Sequence, residues 1–249
     1  MKLNFRKAAA FVFMTIVLCG CKGKNQGEEN SSENLADSNA PLTAKGTVLY
    51  QNAPLYQEDA NGEMVYFDQI DKGSDVKIYL TGENGKEAES KNVTLKGETA
   101  EQKMVHILYF GKDFWIKNAF VAPNTVPAVL KDEATVYSLA DKSSATEKKL
   151  KKGELVAVAD EKKDFESIFC YDGTEFGTEI FVKKSLVSKK ADDVLAQQIY
   201  SKISLKTNRE ILEELNESLS TLEISPEIKQ EIKIPELNSA ENKNNFGEE

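Results

Sequence analysis

Nucleophilic and metal-ligating chemistry has little raw material in this chain of 249 residues. Its three cysteines stand at positions 19, 21 and 170, and its one histidine is His106. A zinc site draws on several Cys and His side chains, and Ser/His or Cys/His catalysis needs a nucleophile held against an oriented imidazole. One histidine, with no cysteine pair in the body of the chain, supplies neither. Cys170 lies in Ser167-Ile168-Phe169-Cys170-Tyr171 and His106 in Val105-His106-Ile107-Leu108-Tyr109, both strand-like apolar runs. A small buried hydrophobe and a structural histidine are the readings that follow. Carboxylates are plentiful, but Glu210, Glu213, Glu214 and Glu217 fall on a solvated helix face and single out no acid–base pair. Gly82-Glu83-Asn84-Gly85 reads as a turn, not a phosphate-binding loop. No cofactor or metal is implied, and the chain is expected not to be an enzyme. What remains is aromatic surface. The first half of the chain holds Tyr50, Tyr56, Tyr66, Phe67, Tyr109, Phe110, Phe114 and Trp115, and the second half holds fewer rings.

The N-terminus is an address. Lys2, Arg6 and Lys7 form a positive start, and Ala8 to Leu18 is an apolar run too short to span a bilayer as a finished helix. It ends at Leu18-Cys19-Gly20-Cys21, which resembles the lipobox of bacterial lipoproteins. That resemblance implies cleavage between Gly20 and Cys21 and diacylation of Cys21. Acyl chains on one residue bury dozens of methylenes at about 0.8 kcal/mol each, enough to anchor the chain without a second signal. The implied location is a bacterial cell membrane, with the chain exported and lipid-anchored, facing the periplasm or the surface. Formal charge is −9, and the first 20 residues hold three basic and no acidic side chains, which leaves −12 for the remainder. Surplus acid argues against a nucleic-acid partner and against a polybasic grip on lipid headgroups. Membrane contact is therefore expected through the acyl chains. With Cys19 removed and Cys21 acylated, Cys170 is left alone and no intramolecular disulfide is available.

Segments of different composition divide the chain. Residues 1–20 read as the signal peptide, 21–45 as a flexible tether rich in Asn, Glu, Ser and Gly, and 238–249 as a disordered tail. Between tether and tail lies an internal repeat. Val48, Leu49, Ala53 and Tyr56 match Val129, Leu130, Ala134 and Tyr137 at a constant offset of 81 residues. Lys72-Gly73 followed by Val76 and Ile78 matches Lys152-Gly153 followed by Val156 and Val158, at an offset of 80. Trp115 to Val121 matches Phe181 to Val187 at an offset of 66, which places a longer insertion in the first copy, between Gly82 and Gln102. The Lys-Gly pairs read as tight turns with glycine at positive φ. Phe110-Gly111 and Asp172-Gly173 read as hairpin turns. Short alternating strands with turns roughly every ten residues describe small barrels.

The three blocks together resemble the bacterial SH3 domain family, twice over. Domain one would occupy 46–125 and domain two 126–188. The family's Lys-Gly turn stands at Lys72-Gly73 and Lys152-Gly153, its Trp-Val strand at Trp115-Ile116 and Phe181-Val182, and its close at Phe120-Val121 and Leu186-Val187. Pro54-Leu55-Tyr56 and Thr135-Val136-Tyr137 replace the family's Asn-Val-Arg. The fold expected is mainly β, with tandem small SH3-like β-barrels followed by a short helical bundle. The resemblance implies a shallow aromatic groove for extended peptides, with Tyr56, Tyr109 and Trp115 as candidate ligand-binding residues and the second barrel as a spacer.

From 189 to 237 the period changes. Leu195, Ile199 and Ile203 lie four apart, and Leu212, Leu215, Leu219 and Leu222 alternate by three and four. Thr207-Asn208-Arg209-Glu210 reads as a capping box, and Ser225-Pro226 starts a third helix. The function expected is a membrane-anchored, non-enzymatic binding or scaffold lipoprotein whose partner is a peptide, a peptidoglycan stem or an envelope protein. The alternative is an assembly subunit whose C-terminal helices are the interaction surface.

Overall fold

The computed structural model describes residues 41–82, 85–171, 177–203 and 209–232. Gly20, Cys21, most of the tether, the Asp172-Gly173 turn, Thr207-Asn208 and the tail from 238 lie outside the described residues. The first run of strands is β1 (Thr43–Val48), β2 (Ala53–Glu58), β3 (Met64–Ile70), β4 (Asp75–Thr81), β5 (Glu87–Ala88), β6 (Ser90–Thr94), β7 (Glu101–Tyr109), β8 (Lys112–Lys117) and β9 (Val121–Pro123). The second is β10 (Val126–Leu130), β11 (Ala134–Tyr137), β12 (Ala145–Leu150), β13 (Leu155–Lys162), β14 (Phe165–Phe169), β15 (Ile180–Lys183) and β16 (Val187–Ser188). Helices α1 (Ala191–Ile203), α2 (Arg209–Ser220) and α3 (Pro226–Glu231) follow. The protein is mainly β, with two antiparallel sheets and a short helical C-terminal region.

The two sheets repeat one topology. Their orders are β3-β2-β8-β7-β4-β1-β9 and β12-β11-β15-β14-β13-β10-β16, which correspond strand for strand. β5 and β6 sit off this path, on β4 and β7, inside the insertion expected between Gly82 and Gln102. Short 3-10 turns at Asn118–Phe120 and Lys184–Leu186 precede the last strand of each sheet. Alternation in each strand sends one face to a core. Val48, Leu55, Ile70, Ile78, Val105, Ile107, Ile116 and Val121 share the first cluster, and Leu130, Val136, Leu150, Val156, Ile168, Cys170 and Val182 share the second. Cys170 is buried there as a small apolar side chain.

Three expectations are corrected. The expected barrels do not close: among the described residues β3 pairs only with β2, and β9 only with β1. Ile70 of β3 and Val121 of β9 nevertheless share one core, so side-chain packing, not a last row of hydrogen bonds, bends the sheet round. The tether ends earlier than 45, because Thr43, Ala44 and Lys45 pair with Tyr79, Ile78 and Lys77 as the start of β1. The start of the first repeat block is also offset by one, while Ala53 with Ala134 and Tyr56 with Tyr137 keep the expected match. The Gly73 N–H donates to the Val48 carbonyl and the Gly153 N–H to the Leu130 carbonyl, so Val48 corresponds to Leu130, not to Val129. A one-residue slip exchanges the faces of a strand. Val129 accordingly leaves the second core and packs with Leu155, Val194 and Ile228 under the helices.

Packing ties the sheets and α1 together. Leu49 and Ala122 of the first half meet Ala157 and Phe169 of the second. Tyr50 stacks on Phe120 at 4.3 Å between ring centroids and meets Tyr171 edge-on at 5.0 Å. Each Lys-Gly turn docks on α1. The Gln198 side chain donates to the Lys72 carbonyl at 3.0 Å, Lys202 pairs with Asp71 at 2.6 Å, and Lys72 crosses to Glu154 at 2.5 Å. Gly73 has φ 81°, and a Cβ there would stand 3.2 Å from Leu155 and 3.3 Å from Gln198. Gly73→Ala is therefore expected to cost about 1–2 kcal/mol in left-handed backbone strain, before any repacking against α1. Chemical denaturation measures it, and a loss below about 0.5 kcal/mol would show that the turn adapts freely. The leucine stripe of α2 and the turn after it is spent within the fold: Leu212, Leu215, Leu219 and Leu222 pack with Ala196, Ile199 and Ile203 of α1.

Candidate functional site: an aromatic row across the first sheet

The core claims Ile78, Ile107, Phe114 and Leu55 on β4, β7, β8 and β2. Their sequence neighbours must then face outwards. The β7–β8 hairpin turns through Phe110 and Gly111, both at positive φ (47° and 74°), a two-residue turn that sets Tyr109 opposite Lys112 and His106 opposite Trp115. Ile78 opposite Ile107 puts Tyr79 beside His106, Trp115 pairs with Tyr56, and Tyr56 pairs with Tyr66. The result is one row of rings across five neighbouring strands: Tyr79, His106, Trp115, Tyr56 and Tyr66.

Ring geometry along the row is close. Tyr79 and His106 have centroids 4.3 Å apart, His106 and Trp115 stack at 4.7 Å with an 11° interplanar angle, and Tyr56 meets Tyr66 edge-on at 6.3 Å. Polar groups pin it. His106 Nδ1 lies 2.9 Å from Glu89 Oε2, and its Nε2 lies 4.0 Å from Asp113 Oδ1. The Tyr79 hydroxyl donates to Asp113 at 2.6 Å. That hydrogen bond, with burial and the nearby charges of Asp113 and Glu89, pushes the Tyr79 hydroxyl up to about 12, so it stays a donor at any physiological pH. Burial likewise raises Tyr56, against the opposing field of Lys117. Lys91, from β6 of the insertion, lies 4.1 Å over the Trp115 ring and also pairs with Glu58.

Two of the three expected ligand-binding residues, Tyr56 and Trp115, are thus adjacent partners on one face. Tyr109 is not with them. It shares a face with Val105 and Ile107, packs against the first core, and its hydroxyl is raised by burial, offset in part by a hydrogen bond with Ser74. Strand alternation puts it on the opposite side of β7 from His106, so the expected three-residue groove does not exist as drawn. Trp115 is only 8 % exposed, covered by the insertion, and is a framework residue. Tyr79 and His106 were missing from the expected set. The signal lay in the two-residue Phe110-Gly111 turn, since counting outward from it pairs His106 with Trp115.

The exposed part of the surface is at the β2–β3 end. Val65, Tyr66 and Phe67 are 50 %, 54 % and 49 % exposed. The second sheet repeats the pair but not the row. Tyr137 opposes Phe181 in register, Lys162 lies 5.4 Å over Phe181, and Ser167 stands where the first sheet has His106. Both rings are buried, and Phe165 closes them edge-on at 5.0 Å from Tyr137. Among the described residues there is no group of three or more His, Cys, Asp or Glu side chains placed to hold a metal ion.

No family model matches the chain, and no curated protein matches it. Among solved structures it is similar to NlpC1 from Trichomonas vaginalis, at 17 % identity and a TM-score of 0.24, over 69 % of this chain and 56 % of that one. It is similar also to NlpC2 from Trichomonas vaginalis, at 16 % identity and a TM-score of 0.24, over 67 % of this chain and 57 % of that one. The chain thus spans little more than half the length of either protein.

Proposed function

We propose that this chain is a lipid-anchored lipoprotein of a bacterial envelope, a non-enzymatic binding or scaffold module with two tandem SH3-like domains. The observation that carries the binding part is the aromatic row of the first sheet, most open to solvent at Tyr66, half-buried at Tyr56, His106 and Tyr79, and buried at Trp115. Its counterpart in the second sheet is shorter and buried, which suits a spacer. The shared strand order, the two Lys-Gly turns and the matching 3-10 turns support the SH3-like reading. The anchor rests on Leu18-Cys19-Gly20-Cys21. Among the described residues no helix is long and apolar enough to cross a membrane. The partner is a peptide, a peptidoglycan stem or an envelope protein. The competing reading, assembly through the C-terminal helices, loses its clearest surface because the α2 leucines face α1.

One experiment addresses both parts. Cells expressing the full chain are labelled with a palmitate analogue, and the membrane-extracted protein is used to bind isolated sacculi and envelope proteins. Label on the wild type and none on Cys21→Ser is expected, together with at least a tenfold loss of capture in the double variant Tyr56→Ala, Tyr66→Ala. Label persisting on Cys21→Ser would refute the anchor, and unchanged capture by the folded double variant would refute the aromatic surface.

A further inference from the structure

The two sheets end in corresponding edge strands, β3 and β12, each bonded on one side only among the described residues. An open edge is a row of unpaired N–H and C=O groups that invites another strand, and proteins blunt such edges with charged side chains, lysine above all. β12 follows that rule. Ala145-Thr146-Glu147-Lys148-Lys149 are all exposed, and three of the five are charged. β3 does not follow it: it exposes Val65, Tyr66 and Phe67 in succession, with no lysine anywhere in Met64–Ile70, and Asp68 and Gln69 stand where β12 has its two lysines. One molecule therefore carries a guarded and an unguarded version of the same edge. Tyr66 also ends the aromatic row, so a strand laid along β3 would extend both the hydrogen-bond ladder and the ring surface. Opposite Leu55 and Tyr56, the pairing skips Phe67, which bulges and turns its ring to within 5.3 Å of Phe114. Val65 and Tyr66 are left exposed on opposite faces of the strand, Tyr66 on the face of the aromatic row.

Charge selects the occupant. Glu63 and Asp68 bracket the apolar triplet, both are exposed, and no lysine among the described residues pairs with either. Asp59 adds a third carboxylate at the β2–β3 turn, held below the ordinary aspartate range by the backbone N–H groups of Glu63 and Asn61, so it stays ionised. Two copies of this chain pairing edge to edge would bring these carboxylates together. A lysine at either end of an incoming strand would instead meet one. We propose that β3 is a strand-addition site for an extended segment of another polypeptide, apolar in its middle and flanked by lysines. This rests on the binding reading above and names the class of partner that the same surface takes.

The test uses the full chain in detergent micelles and a fluorescent capped peptide, Lys-Val-Thr-Val-Thr-Val-Lys, with anisotropy as the readout. A version N-methylated at alternate residues cannot donate along one edge, and a version with Glu at both ends reverses the flanking charge. The expected result is saturable binding of the lysine peptide, weakened at least tenfold by methylation, by the glutamate ends, and by Val65→Lys with its melting temperature unchanged. No binding by the wild type, or equal binding of the methylated peptide, would overturn the proposal. So would a wild-type dimer that Val65→Lys dissociates, because the occupant would then be a second copy. Tyr66→Ala separates the two readings. Binding that methylation leaves intact but Tyr66→Ala abolishes removes strand addition and keeps the aromatic surface. Binding that methylation abolishes but Tyr66→Ala spares does the reverse.

Discussion

Asp193→Ala is expected to lower the unfolding free energy by about 3 kcal/mol and to release the helical region from the second sheet. Asp193 lies in the first turn of α1, is fully buried, and gathers three segments on its two oxygens. The Ser188 hydroxyl donates at 2.5 Å, the Ser225 backbone N–H at 2.7 Å and the Ser225 hydroxyl at 2.6 Å. One carboxylate thus joins the end of the last strand, the start of α1 and the residue before α3. A hydrogen bond to a charged group contributes about 1.5–3 kcal/mol, but the two hydroxyls can turn to other acceptors, so the sum is not reached. Urea denaturation, with limited proteolysis beyond Ser188, measures the loss, and a change under 1 kcal/mol would show that the three segments hold without it.

The same residue gives a pH dependence of known sign. Burial alone would raise the Asp193 carboxyl, but the hydrogen bonds from Ser188 and Ser225 together with Lys190 outweigh it and hold it below its ordinary value of 3.8. A lowered folded pKa means the folded state binds its proton less readily than the unfolded chain does. Its stabilisation is fully present above the ordinary aspartate range and is lost as pH falls through the lowered value. Asp193→Asn keeps an acceptor for the Ser225 N–H, so it is expected to cost less than Asp193→Ala near neutrality and to flatten the acid limb of the stability curve. An acid limb unchanged in Asp193→Asn would assign that limb to other carboxylates.

Trp115→Ala is the second large effect, a loss of about 3–5 kcal/mol as for other buried aromatic truncations. The ring is 8 % exposed, stacked on His106 and covered by Lys91, so its removal opens a hole beneath the insertion. Lys91→Ala should cost far less, about 0.5–1 kcal/mol, because a partly exposed cation over a ring is worth no more than that. The pair of variants separates framework from surface. If Trp115→Ala left stability nearly intact, the ring would be a ligand contact and not a support for the row. The large expected loss is also why binding tests belong on Tyr66, whose exposed ring can be removed without opening the core.

Much of the β architecture is legible in residue order. Alternation from Val76 to Ile78 and from Val156 to Val158, glycine after lysine at 73 and 153, and the recurring Trp115 and Phe181 blocks point to a repeated sheet. The insertion in the first copy follows from the changed offset. The helices follow from apolar spacing: Leu195, Ile199 and Ile203 mark α1, and Pro226 starts α3. These are local properties, set by steric limits on φ and by which side chains water rejects. What tertiary structure decided is which side of each strand its residues face and which strand end stays open. Val48 aligns with Val129 by identity but with Leu130 by hydrogen bonding, and that single step moves Val129 from the sheet's core to the helix interface. Tyr109 and His106 are three residues apart in one strand, so they lie on opposite faces because side chains alternate with a period of two. Registers between four strands had to be known before Tyr79, His106, Trp115 and Tyr56 became one row. The contrast between β3 and β12 appears only once both are known to be edges, since an exposed Val65 or Lys148 acquires its meaning from the strand that is not beside it.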